Sequence, residues 1–220
     1  MTQGEIKSNI ESVSERIARA ARAFGRPITL VAATKTVPPP LIDFAVSCGI
    51  KHIGENRVQE YLAKRDSVQG ASWHFIGTLQ TNKAKYIVGS VALIQSVNSA
   101  NLAREIDRLA KLRGTVQDVL IEVNAGGEPS KTGASIYDAE WLIDLAASLP
   151  GISVRGLMAV PPKDCGDEVY KRLYELYERT KTNISGFDIL SVGMSADYER
   201  AIAFGSNMVR LGTAIFGSRQ

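Results

Sequence analysis

The segment Ile28-Thr29-Leu30-Val31-Ala32-Ala33-Thr34 decides the fold of this chain. It is apolar, rich in β-branched residues and free of polar alternation, which is typical of a strand buried on both faces. Before it, apolar residues recur at spacings of three and four from Ile6 to Phe24, so we predict an amphipathic helix that ends at Gly25. A helix followed by a doubly buried strand predicts a parallel sheet covered by helices.

The same pattern repeats along the rest of the chain, and each apolar segment is separated from the next by a helical one. The predicted strands are 28–34, 51–53, 73–76, 92–96, 118–123, 153–158, 189–192 and 208–211. The predicted helices between them are 40–48, 56–65, 83–88, 99–112, 137–148, 167–181 and 198–204. Ser99 suits the N-cap of its helix. Alternation of this kind indicates parallel strands joined by right-handed crossovers.

Two folds fit this alternation, a doubly wound sheet and a (β/α)8 TIM-type barrel. Eight strands in 220 residues favour the barrel, and no strand is followed by the GxGxxG motif that a dinucleotide-binding sheet usually shows. No Pro/Gly/Ser-rich linker or charge block divides the chain. We therefore predict an α/β protein with a single barrel domain over residues 1–220 and an extra N-terminal helix.

Composition narrows the class of protein. The chain is 45% hydrophobic and 22% charged with a net charge of +3, too little positive charge to indicate nucleic-acid binding. Cys48 and Cys165 lie far apart, which indicates neither a disulfide framework nor a zinc site. The polar start is unlike a signal peptide, and no apolar run approaches the roughly 18 residues of a membrane span. We expect a cytoplasmic protein that binds neither membranes nor nucleic acids.

Lys35 is the first candidate functional residue, because it stands directly after the first strand. Functional residues of such barrels lie at the carboxyl ends of the strands and in the loops that follow. Partial burial lowers the pKa of a lysine, and the neutral amine attacks carbonyl compounds. The residues alone leave a second interpretation open, in which Lys35 is solvated and begins a proline-rich loop.

The loops after strands seven and eight favour a phosphate site. They read Ser191-Val192-Gly193-Met194-Ser195 and Arg210-Leu211-Gly212-Thr213-Ala214-Ile215-Phe216-Gly217. Small residues let backbone N–H groups approach an anion, and hydroxyl groups add donors. Arg210 is either a charge-assisted donor to the ligand or an interior arginine paired with an acid.

Other residues at the predicted barrel mouth carry weaker signals. Asn56 contacts a ligand or caps the next helix. His74 lies within strand three, where a hydrogen-bonded core histidine is more common than an acid/base group. Glu122 and Asn124 end strand five, and Lys131 follows in a glycine-rich loop, either exposed or meeting an incoming anion.

A lysine opposite a phosphate cradle suits two chemistries. One is Schiff-base aldolase chemistry on a sugar phosphate, and the other is binding of pyridoxal 5'-phosphate (PLP). The sequence contains no GxSxG nucleophile elbow, P-loop or HExxH motif that would point elsewhere.

Six segments resemble those of a known family, the YggS/PROSC or PLP homeostasis proteins. They are ATKTV (33–37), GENRVQE (54–60), WHFIGTLQTNK (73–83), RGLM (155–158), SVGMSAD (191–197) and VRLGTAIFG (209–217). The resemblance runs in order over nearly the whole chain. It implies PLP fold type III, a barrel similar to the N-terminal domain of alanine racemase.

The resemblance also implies how the cofactor is held. Lys35 would carry PLP as a Schiff base. Ser195, Gly212 and Thr213 would bind its phosphate. The cofactor therefore comes from the resemblance, which decides between the two chemistries that the residues leave open.

Four further positions complete the implied cofactor site. Ser191 and Met194 would shape the phosphate cradle, and Asn56 would lie near the cofactor. Arg210 would contact the pyridine nitrogen or the phosphate. Gly127 occupies a position at which the family commonly has a serine or a similar residue. This difference does not affect the cofactor assignment.

The expected role is that of an intracellular PLP carrier, buffer or regulator. In alanine racemase the second acid/base group is a tyrosine of a C-terminal β-domain, which is supplied across the dimer interface. For this chain we expect no such domain, and we expect a monomer. Most tyrosines of this chain fall within predicted helices. Apo forms of PLP-dependent enzymes are the candidate recipients. The alternatives are an amino-acid racemase or related enzyme that uses His74, and an aldolase that uses Lys35 without PLP.

Overall fold

The computed structural model describes residues 1–127 and 132–217. It begins with helix α1 (Gln3–Phe24), which confirms the predicted N-terminal helix. A capping box starts the helix, since Thr2 Oγ1 accepts from Glu5 N–H and the Glu5 carboxylate accepts from Thr2 N–H at 2.6 Å. Gly25 ends it in the left-handed conformation, at φ 63°. The buried face consists of Ile6, Ile10, Val13 and Ile17.

The strands form a parallel barrel. They are β1 (Thr29–Ala33), β2 (His52–Glu55), β3 (Ser72–Phe75), β4 (Leu93–Val97), β5 (Gln117–Asn124), β6 (Ala134–Ser135), β7 (Ile152–Ala159), β8 (Ile189–Val192) and β9 (Met208–Leu211). Within the described residues, β1-β2-β3-β4-β5-β7-β8-β9 form a ring that closes where Val31 of β1 pairs with Arg210 of β9. This confirms the predicted (β/α)8 barrel.

Helices follow most of these strands. They are α2 (Pro39–Ser47), α3 (Val58–Lys64), α4 (Ala100–Leu112), α5 (Ile136–Ala147), α6 (Asp167–Lys181), α7 (Tyr198–Ala203) and α8 (Thr213–Phe216). Ser99 caps α4 as predicted, accepting from Leu102 N–H at 3.4 Å. The predicted helix 83–88 is instead a 3₁₀ helix at Thr81–Tyr86, a form common in short connections.

Two short elements have no counterpart in the sequence-based prediction. Strand β6 pairs in parallel with the last residues of β5, Ala134 with Val123 and Ser135 with Asn124. Helix α8 follows β9 immediately. Both are shorter than the windows over which hydrophobic periodicity is measurable.

The apolar core has two parts. The larger lies between the sheet and the helices. A smaller cluster contains Val31, Leu93, Leu120, Met158 and Met208. Both cysteines are free thiols, and no helix in the described ranges is both long and apolar enough to cross a membrane. The described residues also contain no group of three or more acidic, cysteine or histidine side chains suited to a metal ion.

Candidate functional site

Lys35 and the Gly212–Thr213 pair meet at the carboxyl end of the barrel. They follow β1 and β9, which are neighbours in the sheet, since Ala32 pairs with Leu211. A cavity of about 580 Å³ opens here, and Lys35, Gly212 and Thr213 all line it. A volume of this size is typical of small-molecule sites. The structure thus brings the predicted lysine and part of the predicted phosphate cradle together.

Helix α1 covers one side of this cavity. Met1, Glu5 and Ile6 contribute to the lining. The Asn9 side-chain amide donates to the carbonyl oxygen of Ile215 at 3.0 Å, which ties α1 to α8. The N-terminal helix is therefore part of the site's wall.

The residue before Lys35 is held by buried polar groups. Thr34 is fully buried, and its hydroxyl donates to Glu55 Oε1 at 2.7 Å and to the Gly54 carbonyl at 3.1 Å. Its own carbonyl oxygen accepts from Lys64 Nζ at 2.9 Å. The side chain and the carbonyl group of Thr34 are thus both held by hydrogen bonds, directly before the exposed Lys35.

The residue after Lys35 is fixed by the same group of side chains. Thr36 has a φ of 65°, unusual for a residue with a side chain, and its N–H donates to Glu60 Oε2 at 2.6 Å. Lys64 Nζ bridges Glu55 at 2.6 Å and Glu60 at 3.1 Å. Burial alone would raise the pKa of Glu60, but the Thr36 N–H and the Lys64 ammonium outweigh it and hold that pKa below its usual range. We call Thr34, Glu55, Glu60 and Lys64 the Lys64 network.

Ser195 links the two predicted phosphate loops. Its Oγ accepts from Ala214 N–H at 3.1 Å, across the gap between the loops after β8 and β9. Because the hydroxyl is the acceptor in this bond, its own proton is available for a second acceptor. A phosphate oxygen is such an acceptor.

The loop that carries Ser195 is rigidly built. Gly193 has a φ of 105°, and a Cβ there would lie 2.9 Å from Tyr198 Cα, so only glycine fits. Asp197 accepts from Met194 N–H and from the Tyr170 hydroxyl, both at 2.7 Å. Burial and the Asp197 hydrogen bond raise the pKa of Tyr170 above its usual range. Met194 itself is exposed.

Arg210 and Ser191 lie inside the barrel. Arg210 donates to the Ser191 carbonyl at 2.7 Å, to Ser191 Oγ at 2.6 Å and to the Ala159 carbonyl at 2.9 Å. No carboxylate lies within ion-pair distance of Arg210 among the described residues. Burial lowers its pKa to about 10, against the opposing attraction of Asp197 and Glu122. Ser191 therefore supports Arg210 from within the barrel, and the structure does not place it at the Lys35 cavity.

A chain of hydrogen bonds continues from Ser191 across the barrel interior. Ser191 Oγ donates to Gln95 Oε1 at 2.7 Å, and the Gln95 amide nitrogen lies 3.0 Å from His74 Nδ1. His74 Nε2 lies 3.1 Å from His52 Nδ1. Burial, with a smaller effect of His52, lowers the pKa of His74 to about 3. His74 is thus neutral near pH 7 and has the environment of a hydrogen-bonded core histidine.

Asn56 does not cap a helix, since the N-cap of α3 is Arg57 and no side chain caps that helix. Its Oδ1 is buried and has no hydrogen-bond partner among the described residues. Asn56 lines a second cavity at the same end of the barrel, beside Gly77 and Glu122. Lys131 lies outside the described residues.

Comparison with known proteins agrees with this geometry. The family model for the alanine racemase N-terminal domain matches residues 5–220. The pyridoxal phosphate homeostasis protein of Aquifex aeolicus is 42% identical over 221 residues, which cover 96% of this chain and 97% of the relative. The chain belongs to the pyridoxal phosphate homeostasis protein family. The resemblance stated from the sequence motifs is confirmed.

Solved structures support the same family and fold. PipY of Synechococcus elongatus PCC7942, in a structure with PLP bound, has a TM-score of 0.84 and 27% identity, with 96% of this chain and 100% of that chain covered. An alanine racemase of Clostridium difficile 630 has a TM-score of 0.73 at 15% identity, with 96% of this chain and 56% of that chain covered. The second likeness concerns the fold alone, and it confirms the predicted similarity to the alanine racemase barrel.

The residues present fit the cofactor of this family. PLP needs an amine for its aldehyde, donors for its phosphate and a polar partner for its ring. Lys35 would supply the amine, and Ser195 with the Gly212–Thr213 segment would supply donors to the phosphate. The buried Arg210 would supply a cation to the ring nitrogen or the phosphate.

The Lys64 network has no counterpart in the sequence-based prediction. A signal was present, since Glu60 and Lys64 stand four residues apart on one predicted helix, a spacing typical of helical ion pairs. Their contacts with Thr34 and Thr36 join segments distant in sequence. Spacing alone therefore could not connect them with Lys35.

Proposed function

We propose that this protein carries PLP as a Schiff base on Lys35 and serves in PLP homeostasis as a carrier, buffer or regulator. The observation that carries the proposal is the shared cavity in which Lys35 faces Gly212 and Thr213. The relative from Aquifex aeolicus bears the name pyridoxal phosphate homeostasis protein, and the PipY structure contains PLP. Both support the same cofactor for this chain.

Each residue of the site has a defined task in this proposal. The amine of Lys35 binds the aldehyde, while Ser195, Gly212 and Thr213 bind the phosphate. Arg210, fixed by Ser191, contacts the ring nitrogen or the phosphate. When bound, PLP supplies an electrophilic carbon and an electron-withdrawing ring.

A carrier role is better supported than the racemase alternative. That alternative uses His74 as an acid/base group, but His74 lies within the barrel and has a pKa of about 3. A base with so low a pKa accepts a proton poorly near pH 7. We further propose that the protein acts in the cytoplasm as a monomer that passes PLP to apoenzymes.

The test of the cofactor is an absorbance titration with PLP on the wild-type protein, K35A and the control K171A, whose lysine lies on the exposed face of α6. We expect a Schiff-base band in the wild type and K171A and none in K35A. Borohydride reduction followed by peptide mass analysis should place the pyridoxyl group on Lys35. A wild type without the band, or K35A that keeps it, would overturn the proposal.

The role is tested separately. Protein loaded with PLP should activate an apo PLP-dependent enzyme, and K35A treated in the same way should not. Incubation with alanine in deuterium oxide should give no exchange at Cα beyond that of free PLP. Faster exchange would instead support the racemase alternative.

A further inference from the structure

A cavity of about 500 Å³ lies at the amino end of the barrel, the opposite end from Lys35. Helix α1 forms one wall, and the first residues of β1 and β2, with the segments before them, form the other. Among the described residues it shares no lining residue with the Lys35 cavity. The proposed cofactor function lies at the carboxyl end of the strands and therefore does not account for this cavity.

Aliphatic side chains make up much of the cavity wall. They include Ile17 of α1, Leu30 of β1 and, in the segments before β1 and β2, Ile28 and Ile50. Ile17 and Ile50 are buried, whereas Ile28 and Leu30 are half-buried and keep part of their apolar surface in water. Covering such surface with an apolar ligand is favourable, because it removes the surface from water. The walls thus suit an aliphatic group.

The ionisable groups of the cavity are all bases. Lys51 and His52 line it, and no aspartate or glutamate does so among the described residues. Lys51 is exposed and forms no ion pair with any carboxylate in the part of the chain that the structure describes. A cation beside aliphatic walls, without a neighbouring anion, favours a ligand that carries a negative charge.

The hydrogen bonds inside the barrel determine which nitrogen of His74 carries the proton. Arg210 can only donate, and it donates to Ser191 Oγ, so the Ser191 hydroxyl proton is directed at Gln95 Oε1. The Gln95 amide nitrogen, which also lies 3.3 Å from Met208 Sδ, then donates to His74 Nδ1 at 3.0 Å. A ring nitrogen that accepts carries no proton, so neutral His74 is protonated on Nε2.

The same reasoning places a free donor on His52. His74 Nε2–H donates to His52 Nδ1 at 3.1 Å. Burial, with a smaller effect of the Lys51 charge, lowers the pKa of His52, so its ring is mainly neutral near pH 7 and carries its one proton on Nε2. His52 Nε2 has no hydrogen bond among the described residues. The half-buried His52 therefore adds an N–H donor to the cavity that it lines.

We propose that this cavity binds an aliphatic monocarboxylate. The carboxylate lies between Lys51 Nζ and His52 Nε2–H, and the aliphatic chain packs against Ile17 and Leu30. A carboxylate has two acceptor oxygens, which match one charged donor and one neutral donor. An aliphatic ammonium group would be repelled by Lys51 and would find no carboxylate in the lining. The site lies beyond the proposed PLP function and does not require bound cofactor.

The test is isothermal titration calorimetry of PLP-free protein with sodium hexanoate, compared with sodium acetate and hexylammonium chloride. We expect saturable binding of hexanoate, and binding of the other two weaker by about tenfold or more, since acetate lacks the apolar chain and hexylammonium the negative charge. K51M should weaken hexanoate binding by about tenfold, because a charge-assisted hydrogen bond is lost. K171M, which changes an exposed lysine on α6, should not.

The location of the site is tested on helix α1. Ala18 is exposed and lines the cavity, so A18W places a large ring in it and should abolish hexanoate binding. A23W changes another exposed alanine of α1, outside the cavity lining, and should bind hexanoate as the wild type does. K35A should also bind hexanoate normally, which separates this site from the proposed cofactor site.

Circular dichroism of each variant establishes that it is folded. Absence of saturable hexanoate binding to the wild type, equal binding of hexylammonium, or unchanged binding in K51M or A18W contradicts the inference. Nitrogen-15 NMR of the histidine rings should find the His52 proton on Nε2, and a proton on Nδ1 instead would remove the proposed donor. Since hexanoate is titrated without PLP, these results are independent of the absorbance test of Lys35.

Discussion

Lys64 Nζ lies 2.9 Å from the carbonyl oxygen of Thr34, the residue that immediately precedes Lys35. The same ammonium group bridges Glu55 and Glu60, and Glu60 in turn accepts from Thr36 N–H, on the other side of Lys35. One buried cation therefore fixes the backbone on both sides of the proposed cofactor lysine. This arrangement makes Lys64 a positioning residue for Lys35.

K64M should weaken both the fold and the cofactor site. The change leaves the fully buried Glu55 carboxylate without its cation, and breaking a buried pair in this way costs about 3–5 kcal/mol of unfolding free energy. Because the backbone at Lys35 loses its anchor, PLP affinity should also fall. Urea unfolding measures the first effect and absorbance titration the second.

K171M is the control, since Lys171 is exposed on α6. A folded K64M with reduced stability but wild-type PLP affinity would show that the Lys64 network is structural only. A K64M protein with lower PLP affinity but an unchanged unfolding free energy would show that loss of the buried ion pair is not the cause of the lower affinity.

S195A should weaken binding of PLP but not of pyridoxal, which lacks the phosphate. The substitution removes the hydroxyl that the proposal assigns to the phosphate. It also removes the acceptor of the Ala214 N–H, which links the two loops. A hydrogen bond to a charged group contributes about 1.5–3 kcal/mol, which corresponds to roughly a tenfold to hundredfold loss of affinity.

Parallel titrations of PLP and pyridoxal check this result, with S185A as the control for an exposed serine. If S195A weakens both compounds equally, Ser195 shapes the loop without contacting the phosphate. If neither changes, the assignment of Ser195 is wrong.

The fold could be predicted from the sequence because each strand is a local apolar run, and even the bounds of α6 (Asp167–Lys181) agree with the prediction. The position of Lys35 followed from the same runs. The Lys64 contacts and the burial of Glu122 could not be predicted, because they depend on how β1, β2 and β5 come together in space. Nor could the sequence predict the hydrogen bonds between Ser191 and Arg210. They depend on whether each strand residue faces the barrel interior or the surrounding helices.

Stability should fall in acid because of His74. Burial lowers its pKa to about 3, whereas an unfolded histidine titrates near 6.5. Between these values the unfolded state binds a proton that the folded state excludes, so the stability present above pH 6.5 is lost as the pH falls towards 3. At about pH 4.5 the loss amounts to about 2–3 kcal/mol.

H74Q isolates this effect. Its unfolding free energy, measured in urea, should decline less than that of the wild type between about pH 7 and about pH 4.5. The substitution also alters the interior hydrogen bonds, which changes the unfolding free energy at every pH. The test is therefore whether the difference in unfolding free energy between wild type and H74Q changes with pH. A difference that stays constant over this range would mean that His74 takes up its proton in the folded state at the same pH as in the unfolded chain.

Glu122 should have the opposite pH dependence. Burial raises its pKa above the ordinary value of 4.5, although the Thr132 hydrogen bond and the attraction of Arg210 partly oppose the shift. The folded state then holds a proton that the unfolded state has lost. The stability contributed by Glu122 is complete below about pH 4.5 and is lost as the pH rises through the higher folded pKa.

Comparison with E122Q tests this expectation, because glutamine is neutral at every pH. As the pH rises above about 4.5, the unfolding free energy of the wild type should fall relative to that of E122Q, whereas E175Q, which changes an exposed glutamate on α6, should follow the wild type. A wild type whose stability relative to E122Q rises with pH would mean that the folded state already stabilises Glu122 as a carboxylate.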